Sequence, residues 1–552
     1  MIVSQMAFAG WLIGVGLAVA PVAPILAQRG AGDRANVPPG QAQVAPLPDS
    51  AALPGSRGSR GGADSGATAA SIHHLIAMAK APPVITHHSI SVRGQALNYT
   101  ATAGMLPLRN EKTDAVEGGM YYVAYTKDGA NPATRPITFA FNGGPGSATV
   151  WLHMGAFGPK RVRLMPDGSA PPPPYSFEDN PNTLLDQTDL VFIDAIGTGY
   201  SRPTTPALGA HFWGLDQDLH AFREFIRLYL TRFDRMGSPK FLAGESYGTT
   251  RASGLSGLLA DDGIALNGVV LLSSVLNFEY SAQVRGNDIG FIDFIPTYAA
   301  IAWYHKKLSP DLQKLPVDEV TSMAEKFAVN EYASALMKGN TLTAAERSAT
   351  TEQMARLTGL SSQIIERNDL RVALGTFDSE LLRDQQLTVG RLDGRFTGFA
   401  PLTGGWSGGR GVGDPSEISI RNTFTPMLTE YTRRELNYKN EDIYYILGGG
   451  IGHWAYPQNT YANVVPNLER AFAKNPYMKL YVAEGYYDAA TPYFAVEYTL
   501  NHLSIDPRVA KNNITVGRFN AGHMMYIDAP SMKKLRADLV RFYDAASHPV
   551  LP

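Results

Sequence analysis

Three residues far apart in the chain carry the strongest chemical signal in this sequence: Ser246, Asp488 and His523. Ser246 sits at the centre of Gly244-Glu245-Ser246-Tyr247-Gly248, a G-x-S-x-G pattern. A simple tight turn also satisfies that pattern. Here, however, it follows the apolar run 241–243 and precedes a helix-like run over 249–259. A strand that bends sharply into a helix needs glycines, because the backbone is strained and the helix packs close behind it. Such an elbow lifts the serine hydroxyl clear of a sheet. The hydroxyl is a weak nucleophile until a base removes its proton. The chain order serine, acid, histidine is met by Asp488, in Glu484-Gly-Tyr-Tyr-Asp488-Ala-Ala-Thr-Pro492, and by His523, in Asn520-Ala-Gly-His523. Asp488 follows a predicted strand at 480–483 and His523 follows one ending near Val516. Both therefore fall at strand carboxyl ends, where open α/β sheets place their sites. Asp488 would fix the tautomer of His523 and stabilise its imidazolium. Asp528 is the rival acid, but it comes after His523, at the approach to a helix.

Acyl transfer develops an oxyanion that needs fixed donors. One is the N–H of Tyr247, the residue after the nucleophile. The other is assigned to the N–H of Gly144, in the loop Asn142-Gly143-Gly144-Pro145-Gly146. A phosphate loop is the rival reading of these glycines, but no Lys-Ser or Lys-Thr follows at the required spacing.

Such a constellation has to be carried by a sheet. Short apolar stretches at 136–141, 189–194, 241–243, 268–272, 479–483 and 513–516 alternate with helix-like segments such as 215–229. That rhythm predicts an α/β fold: a mainly parallel central sheet with helices on both faces. The β-rich, alternating segments between Ser89 and Tyr125 predict antiparallel strands at its start. Residues 279–440 break the rhythm. Ser309-Pro310 is a helix start, Thr343-Ala-Ala-Glu346 is a capping box, and 317–382 reads as mostly helical. The expectation is a core in two parts, 71–278 and 441–552, with an inserted helical cap over 279–440. The cap would roof the site, with Trp303, Trp406 and Trp454 as candidates to line it. A last amphipathic helix is expected over 531–543.

Composition narrows the function. With 552 residues, 44% hydrophobic and 18% charged, the chain can bury a sizeable core. A formal net charge of -2 gives no strong pull towards nucleic acid or an anionic membrane. The absence of cysteine excludes a thiol nucleophile, a thiolate metal site and disulfides. His73-His74, His87-His88, His153, His211, His220, His305, His453 and His502 have no ligand spacing, so neither metal nor organic cofactor is expected. At the N-terminus, the apolar run 11–23 and the small or aliphatic residues Ile25-Leu26-Ala27, before a cut after Ala27, read as a signal peptide over 1–27. An uncleaved anchor is the alternative. The run is shorter than the ~20 residues a spanning helix needs, and Pro21 and Pro24 interrupt its end. Residues 28–70, rich in Gly, Ala, Pro, Ser and Gln, read as a flexible linker. The expected location is secreted or periplasmic, with no membrane association after cleavage.

Five motifs together carry a family resemblance: Asn142-Gly-Gly-Pro-Gly146, Phe192-Ile-Asp-Ala-Ile-Gly-Thr-Gly-Tyr-Ser201, Gly244-Glu-Ser-Tyr-Gly248, the Asp488 loop and Ala521-Gly-His523-Met524. In that order, over residues from about 85 to 545, they resemble the serine carboxypeptidases, peptidase family S10. The resemblance implies an α/β-hydrolase core with an inserted cap, a triad on Ser246, Asp488 and His523, and no cofactor. It also implies release of C-terminal amino acids from a peptide substrate, often best at acidic pH. The terminal carboxylate would be bound by Asn142, by Gly143 or Gly144, and by Glu245. Three positions depart from the family. Its second carboxylate-binding glutamic acid falls at Ala156, its cysteine after Asn-Gly-Gly-Pro-Gly falls at Ser147, and its aspartate two residues before the catalytic one falls at Tyr486. Two adjacent carboxyls can share a proton and so donate a hydrogen bond to a carboxylate. Lacking that partner, Glu245 is expected to act alone, with weaker or less acid-dependent recognition. Its alternative role is only to brace the elbow. An esterase or acyl transferase on the same scaffold, and an inactive binding protein that keeps the fold, remain competing readings.

Overall fold

The computed structural model describes residues 69–399 and 413–548. The signal peptide expected over 1–27, nearly all of the linker expected over 28–70, and Trp406 lie outside the described residues. A helix, α1 (Ala69–Lys80), begins two residues ahead of the expected core boundary and packs on the strands that follow.

The chain opens with three antiparallel strands, β1 (Val84–Val92), β2 (Gln95–Arg109) and β3 (Val116–Lys127). Exposed and covered positions alternate along β1, as expected for an edge strand. Then come β4 (Ile137–Phe141) and β5 (Asp189–Ile193), in which all five residues of each are buried. Helix α2 (Leu215–Arg232) leads to β6 (Lys240–Ser246), which runs without interruption into α3 (Tyr247–Asp261) and then β7 (Gly268–Ser274). After the insertion come β8 (Lys479–Gly485) and β9 (Ile514–Phe519). The order across the sheet is β1-β2-β3-β5-β4-β6-β7-β8-β9, with Arg202–Pro203 adding a short tenth strand beside β3. From β5 to β9 every neighbouring pair is parallel. Unbroken apolar runs such as Ile-Thr-Phe-Ala-Phe belong in such strands, because helices cover both faces.

One face is covered by α2, α3 and the helix Val465–Lys474, through Phe222, Phe225, Leu255, Leu259 and Leu468. The other is covered by the helices Pro415–Arg434 and Ala529–Ser547, through Phe424, Tyr431, Leu535 and Leu539. A third hydrophobic cluster is built on the insertion, from Phe291 to Val389, and takes in Tyr486, Tyr487, Ala489 and Tyr493 of the core. It is helical as expected, and the capping box at Thr343 and Glu346 is formed on both sides. The helix Pro415–Arg434 falls inside the expected cap range of 279–440, yet it packs on the central sheet. Its row of Ile420, Phe424, Met427 and Tyr431 is an amphipathic face like that of any core helix, so periodicity does not assign it to a layer. Among the described residues no helix is long and apolar enough to cross a membrane.

Candidate active site

Strand β6 ends at Ser246 with φ 59° and ψ -132°, a left-handed conformation that a non-glycine residue holds only where its surroundings force it. The flanking glycines supply the room. A Cβ on Gly244 would lie 2.1 Å from the carbonyl oxygen of Gly248, and one on Gly248 would lie 2.6 Å from that of Phe141. Helix and strand are thus packed backbone to backbone. As the first residue of α3, Tyr247 has an N–H without an intrahelical acceptor. The Asn142–Gly146 loop lies directly against it: a Cβ on Gly143 would sit 2.4 Å from Tyr247 N. Gly144, the next residue, has φ 106°, which glycine alone adopts easily. The two expected oxyanion donors, Tyr247 and Gly144, therefore belong to adjoining pieces of backbone.

Asp488 and His523 meet as expected. His523 Nδ1 lies 2.8 Å from Asp488 Oδ2, and both side chains are buried. Asp488 is held from every side. Its Oδ1 accepts the N–H groups of Ala490 (2.8 Å) and Thr491 (2.9 Å), and its Oδ2 also accepts the Thr491 hydroxyl at 2.6 Å. Burial acts to lower the His523 imidazole, but the charge and hydrogen bond of Asp488, helped by the charge of Glu245, outweigh it and raise it above its ordinary range. The histidine loop is tied to the elbow through β7. Ser274 pairs with Ser246 in register, and the Ser273 hydroxyl donates to the His523 carbonyl at 2.6 Å. Asp528, the rival acid, instead caps the last helix by accepting from Ser531 N, and pairs with Arg395.

The far end of the insertion joins the acid and base loops, a role that no motif announces. The N–H of His523 donates to Leu392 O at 2.7 Å and that of Gly522 to Asp393 Oδ2 at 3.1 Å. On the other side the N–H of Ala489 donates to Arg391 O, and that of Gly394 to Tyr487 O. Arg395 pairs with Asp393 and donates to Asn520 O. Arg251 on α3, equally silent in the sequence, is fully buried. It pairs with Asp218 on α2 at 2.8 Å and donates to Asn142 O at 2.6 Å, so one cation locks two helices and the glycine loop.

Glu245 and Asn142 come together beside the elbow. Burial pushes the Glu245 carboxyl up to about 7, against the opposing effects of His523, Tyr526 and Asn142. The expectation that Glu245 stands alone is corrected here: the Tyr526 hydroxyl donates to Glu245 Oε2 at 2.6 Å. Ala156 is fully buried, and a Cβ on neighbouring Gly155 would lie 2.7 Å from the Tyr526 ring. The other departures also have structural causes. Ser147 accepts the Trp151 indole N–H at 2.9 Å. Tyr486 packs in the hydrophobic cluster of the insertion, edge-on to Tyr493. Of the aromatic candidates, Trp303 donates to Leu315 O within the insertion, and Trp454 packs edge-on against Tyr247. His153 stacks on Phe192 and shares a 2.6 Å hydrogen bond with Tyr125, a packing role. Among the described residues no group of three or more His, Asp or Glu side chains is placed to hold a metal ion.

The strand order, the elbow and the acid and base loops after β8 and β9 are those of the α/β-hydrolase fold. Solved structures similar to the chain include VinJ (14% identity, covering 80% of this chain and 98% of that one, TM-score 0.35). Others are a proline iminopeptidase of Mycobacterium smegmatis (13%, 81% and 98%, TM-score 0.33) and a thermostable carboxyl esterase from Bacillus coagulans (12%, 84% and 99%, TM-score 0.32). No curated protein matches the sequence. The family model described as serine carboxypeptidase, peptidase family S10, matches residues 94–346, a span that holds the glycine loop and the elbow.

Proposed function

We propose that this chain is a serine-type carboxypeptidase that releases C-terminal amino acids from peptides through an acyl-enzyme. His523 takes the proton of the Ser246 hydroxyl as Ser246 Oγ attacks the last peptide carbonyl. The N–H groups of Tyr247 and Gly144 receive the oxyanion. His523 then passes its proton to the leaving amino group, and water activated by the same imidazole hydrolyses the ester on Ser246. Asp488 keeps Nδ1 protonated so that Nε2 is free to accept. The observation that carries the exopeptidase reading is Glu245, a buried carboxyl beside the nucleophile and Asn142 that is protonated in mildly acid solution. A protonated carboxyl and an amide can both donate to a terminal carboxylate, and neither repels it.

The test is one blocked dipeptide offered as free acid, amide and ester. Preference for the free acid is expected. Turnover of the ester alone would favour an esterase or acyl transferase, which shares the acyl-enzyme step. Failure of a fluorophosphonate to label Ser246 would favour an inactive binding protein, because only an activated serine reacts. The apolar run 11–23 supports export before the enzyme acts. An exported protein whose N-terminus is Gln28 is the expected product.

A further inference from the structure

We infer that Tyr526 is the proton-donating partner of Glu245, filling the place that a second carboxyl would otherwise take, so that the terminal carboxylate is recognised through a single titrating group. This rests on the carboxypeptidase reading and goes beyond it.

The geometry comes first. Residue 155 is Gly, next to the buried Ala156, and the Tyr526 ring packs so close against it that a Cβ on Gly155 would overlap the ring at 2.7 Å. The ring is buried and carries its hydroxyl to 2.6 Å from Glu245 Oε2. The Asn142 side chain lies beside both Glu245 and Tyr526 and favours the ionised form of each, which completes a three-residue polar cluster. With Oε2 engaged by the phenol, the other Glu245 oxygen is the one left for substrate.

The chemistry differs from that of two carboxyls. A carboxyl pair works by sharing a proton, and it fails when the second proton is lost. A phenol does not titrate in the working range: burial, with Glu245 beside it, pushes Tyr526 far above its ordinary value. It therefore donates whether Glu245 is neutral or ionised. The groups that act on Glu245 are His523 and Asp488 from the loops after β9 and β8, Asn142 from the loop after β4, and Tyr526 itself. Of these, His523 is the cation that favours ionisation and Asp488 the anion that opposes it. Because the phenol also favours the ionised form, it sets the upper pH limit at which Glu245 can still donate to a carboxylate.

Tyr526→Phe removes the hydroxyl and keeps the ring. The readout is an infrared titration of the full chain, following the protonated carboxyl band that is absent from Glu245→Gln. A single step is expected, and in Tyr526→Phe that step should move to higher pH by about one unit, since a hydrogen bond to a charged group is lost. In acid, the KM for the free-acid dipeptide should rise about three- to tenfold with kcat little changed, while turnover of a matching ester that lacks a carboxylate stays within about twofold. A step that stays in place or moves down overturns the inference. So does an equal loss on both substrates, which would mark Tyr526 as a packing residue. If the step moves up but wild type shows no preference for the free acid, the carboxypeptidase reading has failed. The recognition role falls with it, and the Tyr526–Glu245 coupling alone survives.

Discussion

Replacing Asp488 by asparagine tests whether the acid acts through the tautomer of His523. The surroundings of Asp488 decide which way the new amide must point. Oδ1 faces two backbone donors, the N–H groups of Ala490 and Thr491, at 2.8 and 2.9 Å. An NH₂ placed there would set donor against donor twice in a fully buried site, at about 1–3 kcal/mol for each unsatisfied group. The carbonyl oxygen of the introduced asparagine must therefore keep the Oδ1 position. Its NH₂ then takes the place of Oδ2, 2.8 Å from His523 Nδ1. There it donates to Nδ1, which leaves the ring proton on Nε2. An imidazole with Nε2 protonated has no lone pair for the Ser246 proton. The Thr491 hydroxyl can turn to accept the second amide hydrogen, so the loop has no reason to move. Folding should survive while kcat/KM falls on the order of 10⁴-fold, or ~5 kcal/mol of transition-state stabilisation. Steady-state rates on the ester and the free-acid dipeptide, alongside thermal melting, would measure this. More than a tenth of wild-type activity in a folded Asp488→Asn protein would refute the tautomer argument.

Glu245→Gln should move the acid limb of kcat/KM on the uncharged ester to lower pH. The sign follows from His523, which is raised partly by the Glu245 charge and must be neutral to act as base. Without that charge His523 loses its proton earlier as pH rises, and an unmoved or upward-shifted limb in the pH–rate profile would contradict this. Gly244→Ala should lower the melting temperature, with overpacking costing about 1–3 kcal/mol. It should also abolish fluorophosphonate labelling of Ser246, because its Cβ would meet the Gly248 carbonyl at 2.1 Å, backbone against backbone. A stable, fully labelled variant would show that the elbow tolerates the extra atom.

What the sequence determined by itself was the set of candidate residues and the layers that present them. Strands buried on both faces leave unbroken apolar runs, and an elbow leaves glycines at fixed offsets, so Ser246, Asp488 and His523 were legible with their order in the chain. Each of these signals is local: it depends on a residue and its near neighbours. The partners that complete the site are not local. Tyr526 reaches Glu245 across 281 positions, and Gly522 reaches Asp393 across 129. Nothing in the types of those residues marks them, since a tyrosine after a histidine motif and an Asp-Gly-Arg in an insertion each serve many ends. The same holds for the helix Pro415–Arg434, whose apolar face would suit either layer and which the packing gave to the sheet. Only the folded chain decided that Glu245 is not an isolated acid, because a ring from another loop packs on Gly155 and brings its hydroxyl to the carboxyl.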